Sequence, residues 1–86
     1  MNPVRIRVEF WGPAREVAGT ESLDIDFVRP NGITVGFLRE QLASKFPRLR
    51  SGGKAMRLAV NEVFVAENQK LRDGDVVSVI PPVSGG

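Results

Sequence analysis

The 86-residue chain contains no cysteine, no histidine and no tyrosine. Without cysteine there are no disulfides, thiolate metal sites or thiol nucleophiles. Without histidine, the commonest general base and the commonest metal ligand are missing too. What remains is carboxylates, hydroxyls, nine arginines and three lysines. That inventory suits a chain handled by an enzyme better than an enzyme. No apolar run approaches the roughly 18 residues of a membrane span, and the N-terminus has no apolar signal core. A soluble, cytoplasmic protein with no membrane partner is expected.

Charge of one sign is also scarce, at a net +2. Lys45, Arg48, Arg50, Lys54 and Arg57 fall close together and read as a solvated loop. A nucleic-acid module carries a denser basic stripe, interleaved aromatics or a known motif, so no nucleic-acid partner is expected. The length allows one domain with a modest core.

What is present is alternation. Val4, Ile6, Val8 and Phe10 alternate with Arg5, Arg7, Glu9 and Trp11, the period of a strand with one buried face. Gly12-Pro13 ends it, and Ala14–Ala18 can form a turn of helix stopped by Gly19. Leu23, Ile25 and Phe27 define a second strand; if it pairs antiparallel with the first, Arg5 and Arg7 share an outer face with Asp24 and Asp26. Thr34 is a fair N-cap for a helix over residues 35–46, with Val35, Leu38, Leu42 and Phe46 as its core stripe.

Met56, Leu58 and Val60 give a third strand, and Asn61-Glu62 turns into the short run Val63-Phe64-Val65. Asp73-Gly74-Asp75 reads as a turn; two carboxylates without further oxygen ligands make a poor metal site. Val76–Ile80 is nearly all apolar, as in a strand buried on both faces or central in its sheet. The order is strand, strand, helix, strand, short strand, strand: an α+β domain with a mixed sheet of about five strands and one main helix on one face. Residues 1–80 form the domain and 81–86 an extended tail.

That tail, Pro81-Pro82-Val83-Ser84-Gly85-Gly86, leaves directly from the last strand. Two prolines favour an extended exit, and two glycines make the thinnest peptide, able to enter a narrow channel. Six extended residues reach about 20 Å at ~3.3 Å each. A flexible linker has similar composition, so the tail alone leaves both readings open.

Three stretches carry a resemblance. Val8 to Gly19, with Ala14-Arg15-Glu16 and Ala18-Gly19 at its end, resembles the first strand and following segment of the MoaD family. That family belongs to the MoaD/ThiS group of ubiquitin-like sulfur carriers. Thr34-Val35 with Leu38 and Leu42 resembles its helix entry. Leu71 to Gly86, with Asp73-Gly74-Asp75 and the diglycine, resembles its ending most closely. Val76, Ser84 and the Asn61-Glu62 turn depart from the family's usual residues.

The resemblance implies a ubiquitin-like β-grasp fold and the role of a small, non-catalytic subunit of molybdopterin synthase. The Gly86 carboxylate would be adenylated by an ATP-dependent, MoeB-like activating enzyme and converted to a thiocarboxylate. Its sulfur would go to the molybdopterin dithiolene inside a MoaE-like large subunit, which holds the catalytic residues. Pro81, Pro82, Val83, Ser84 and Gly85 would be the partner-binding tail, with Trp11, Val76 and Ile80 candidates for a partner surface. No metal and no permanently bound cofactor are implied; ATP belongs to the activating enzyme. The same ending also fits a protein modifier joined to target lysines through Gly86, or a sulfur carrier for thiazole or another pathway.

Overall fold

A computed structural model describes residues 2–49 and 56–81 of the chain. Its elements run β1 (Val4–Phe10), α1 (Pro13–Ala18), β2 (Ser22–Phe27), β3 (Ile33–Thr34), α2 (Val35–Lys45), a 3₁₀ turn (Pro47–Leu49), β4 (Arg57–Val60), β5 (Val63–Phe64), β6 (Lys70–Leu71) and β7 (Val76–Ile80).

Alternation decides the main sheet. Its order is β2-β1-β7-β4-β5, so the last strand is its centre. β1 and β7 run parallel, and every other pair in this sheet is antiparallel. Ile6, Val8, Phe10, Leu58, Val77 and Val79 point inward and are at most 3% exposed. Val35, Leu38 and Leu42 of α2 close over them, and Phe46 meets Phe10 edge to face at 5.5 Å. One helix thus covers one face of the sheet, as the helical stripe predicts.

Local chemistry sets the helix ends. The Thr34 hydroxyl accepts a hydrogen bond from the Phe37 amide at 3.1 Å, satisfying an otherwise unpaired N–H of the first turn. Gly19 stops α1 in the left-handed conformation, and its N–H donates to the Arg15 carbonyl at 2.8 Å.

Two features depart from the sequence reading. β3 and β6 form a second, two-stranded sheet that ties the start of α2 to the loop before β7. Strands of two residues carry no periodicity to read. Arg57 is not in a solvated loop: it lies on β4, while Lys45 ends α2 and Arg48 sits in the 3₁₀ turn. Arg50 and Lys54 lie outside the described residues. Among the described residues, no helix is long and apolar enough to cross a membrane.

Candidate functional site

The face of the sheet away from α2 holds the site. Period-two alternation sends Arg5, Arg7 and Glu9 of β1 outward, with Asp24 and Asp26 of β2 beside them. Arg5 pairs with Asp26 at 2.8 Å, and Arg7 lies 3.8 Å from Asp24 and 3.6 Å from Glu9. The cross-strand pairing expected from sequence is present in the register Arg5↔Asp26 and Arg7↔Asp24. The Arg5 guanidinium, by hydrogen bonding and by its charge, holds the Asp26 carboxyl below the usual carboxylate range.

The other half of the face is apolar. β7 presents Val76, Ser78 and Ile80, and β4 presents Ala59 and Arg57. The two-residue turn after β4 pairs Ala59 with Phe64, which therefore faces the same way. Trp11 follows β1 directly, its amide donating to the Val79 carbonyl at 3.1 Å. Its indole shares one shallow depression with Ala59, Glu62, Phe64, Ser78 and Ile80. A second depression joins it to Glu9, Asn61, Glu62, Val76 and Ser78. Trp11 and Phe64 are each 50% exposed, whereas Ser78 between them is almost covered. Two large aromatics half in water on one face form the kind of patch that a second protein covers.

Trp11, Val76 and Ile80, named from sequence, are therefore brought together on one surface. Phe64, Ala59, Arg57 and Glu62 were not read as part of it. The parity was there to find: Leu58 and Val60 point inward, so Ala59 points outward, and a two-residue hairpin sets Phe64 opposite it. The Arg57 guanidinium lies 3.8 Å from the Phe64 ring centroid, a cation–π contact. Arg57 is also the register partner of Ile80, so it stands where β7 ends.

Pro81 follows Ile80 and is partly buried. The chain thus leaves the most central strand beside the aromatic patch. Pro82, Val83, Ser84, Gly85 and Gly86 lie outside the described residues.

The acidic turn before β7 is structural. The Asp73 carboxylate accepts the Arg5 amide at 2.8 Å, and the Asp75 carboxylate accepts the Arg72 amide at 2.7 Å. Asp75 also accepts from the Asn61 side chain at 3.1 Å, and the Asn61 side-chain oxygen accepts the Val76 amide at 3.0 Å. These bonds clip the β4–β5 hairpin onto the start of β7. Asn61 and Glu62 both have positive φ, 48° and 73°. A side chain in that region costs of order 1 kcal/mol, which asparagine offsets by local hydrogen bonding and glutamate does not. Among the described residues no group of three potential ligands is placed to hold a metal ion.

Comparison with known proteins defines first a class. A sheet of this order with one main helix is the ubiquitin-like β-grasp, shared with solved structures across several lineages. One, a putative molybdopterin converting factor subunit 1 from Pyrococcus furiosus, superposes with a TM-score of 0.77 at 31% identity. It covers 93% of this chain and 99% of that one. The sequence pattern of the ThiS family matches residues 8–86. A molybdopterin synthase sulfur carrier subunit from Mycobacterium tuberculosis is 37% identical over 83 residues, spanning 96% of this chain and 99% of the relative. The chain belongs to the ThiS/MoaD family. A solved protein–protein complex of subunits 1 and 2 of the molybdopterin-converting factor from Helicobacter pylori also matches. Its TM-score is 0.64 at 31% identity, covering 96% of this chain and all of that one.

Proposed function

We infer that this chain is the sulfur carrier subunit of a molybdopterin synthase, and that Gly86 carries the sulfur. The full-length kinship supports the carrier role. The observation that carries the mechanism is the exit of the tail from the central strand β7, beside an exposed aromatic patch. A rigid strand fixes where the tail begins, and a patch a partner can cover fixes where that partner sits.

A carboxylate is a poor acyl electrophile. Reaction with ATP in an activating enzyme joins the Gly86 carboxylate to AMP and releases pyrophosphate. Attack at the carbonyl carbon by sulfide that the sulfur donor supplies then expels AMP and leaves a thiocarboxylate. The carrier next docks on the large synthase subunit, and Pro81, Pro82, Val83, Ser84 and Gly85 lead the thiocarboxylate into that subunit's pocket. Enclosure there raises its effective concentration and excludes water. The chain offers the activated acyl group no thiol of its own to attack it. Trp11, Val76, Ile80 and Phe64 form the contact surface, used by one partner at a time.

Intact mass spectrometry tests the carrier step, after incubation with ATP, the activating enzyme and a sulfur donor. The expected result is a gain equal to sulfur replacing oxygen in the full chain and none in a chain lacking Gly86. No gain, with the activating enzyme shown competent on another carrier, would refute the assignment.

A further inference from the structure

The hairpin turn at the edge of the patch is built against its own backbone preference. Val60 pairs with Val63, leaving Asn61 and Glu62 as a two-residue turn with positive φ at both positions. Glycine takes the second position of such a turn without strain. Glutamate stands there instead, at φ 73°. Strain held at a surface turn calls for a compensating use of the side chain.

The surroundings supply one. Glu62 is exposed and lines both depressions beside Trp11. Among the described residues it makes no ion pair, and of the five carboxylates without one (Glu16, Glu40, Glu62, Asp73 and Asp75) it alone lines these depressions. At the other end of the patch stands Arg57, stacked on Phe64 and likewise in no ion pair among the described residues. The apolar patch is thus bounded by an anion near the start of β7 and a cation near its end, with the roughly 10 Å length of β4 between them.

We propose that Glu62 is a specificity residue of the docking surface, pairing with an arginine or lysine of the large synthase subunit. Arg57 receives a carboxylate of the same subunit. Two opposite charges at the ends of an apolar patch allow one direction of docking along β7 and oppose the reverse. The favoured direction brings the partner's pocket to the end where the tail leaves. This rests on the reading of the patch as the docking surface for that subunit.

The test measures affinity of the full chain for the purified large subunit by calorimetry, at low and at high salt. Glu62→Gly removes the charge and relaxes the turn; Glu62→Gln removes the charge and keeps the strain. Both are expected to weaken binding about threefold to fivefold at low salt, with Glu62→Lys losing about tenfold. The differences fade at ~1 M salt, where charges are screened within a few ångströms. Glu62→Gly is expected to melt above the native chain, because glycine takes that φ without strain, and a raised melting temperature beside weaker binding separates lost contact from misfolding. Native affinity in Glu62→Gly and Glu62→Gln overturns the proposal, as does a loss confined to the activating enzyme measured in parallel. Trp11→Ala separates the two readings. If it weakens binding while the Glu62 variants do not, only this inference fails; if neither matters, the docking surface is elsewhere and both fail.

Discussion

The outer face of the sheet has two halves that treat their side chains differently. On β2 and β1, Arg5, Arg7, Asp24 and Asp26 find partners within the chain, at 2.8 to 3.8 Å. On β7 and β5 and just past β1, Val76, Ile80, Phe64 and Trp11 are left partly in water, with none of the described residues closing over them. Both halves belong to one sheet and share one register. The difference lies in what covers each. Exposed ion pairs are content in water, so the first half needs no partner. A half-exposed indole and phenyl ring gain free energy when a second protein covers them. The contrast separates residues that serve the fold from residues that serve an encounter.

The largest expected effect that sharpens this contrast comes from Trp11→Ala. Central aromatic anchors of an interface are worth about 2 kcal/mol or more, so affinity for the large subunit should fall roughly 30-fold. The urea midpoint should hardly move, because the indole is half exposed already. A large drop in stability with intact affinity would break the comparison.

Asp24→Lys probes the other half. It sets a like charge directly opposite Arg7 and should cost about 0.5 kcal/mol. For a domain of this size that is a melting temperature lower by about 3 °C. Binding to the large subunit should stay native; a loss comparable to that of Trp11→Ala would extend the docking surface across the whole sheet.

The smallest effect concerns pH. Arg5 lowers the pKa of Asp26 in the folded chain. The pair therefore stabilises fully above the unfolded carboxylate's pKa, and the contribution is lost as pH falls through the lowered folded value. Melting curves of the native chain and Asp26→Asn should differ slightly near neutrality and converge in acid. High salt should bring them together at every pH. A difference that persists in strong acid would mean that charge is not its source.

Much of this molecule was legible in its residues. Alternation in β1 and β2 foretold their facing, and so that Arg5 and Arg7 would share an outer face with Asp24 and Asp26 if the strands paired antiparallel; which arginine meets which aspartate came from the register. The run Val76–Ile80 foretold a central strand. Thr34 and Gly19 marked helix ends through bonds made within a few residues. The patch was legible only in part. Trp11, Val76 and Ile80 could be suspected, but Phe64 required the exact pairing across Asn61-Glu62. Arg57 read as one more loop cation because it groups by sequence with Lys45 to Lys54, although it falls within the strand that Met56, Leu58 and Val60 mark. β3 and β6 left no trace, since two residues make no pattern.

The sequence by itself determined which residues turn inward, where the helices start and stop, and the family to which the chain belongs. All of these follow from periodicity, from caps closed locally, or from residues read in order. Only the tertiary structure decided that β7 lies between β1 and β4. That placement alone brings Trp11, Phe64 and Ile80 to one surface, with Glu62 and Arg57 at its ends. Contacts between residues more than fifty positions apart depend on how strands are ordered in the sheet. Strand order is settled by burial of the whole core, not by any local pattern.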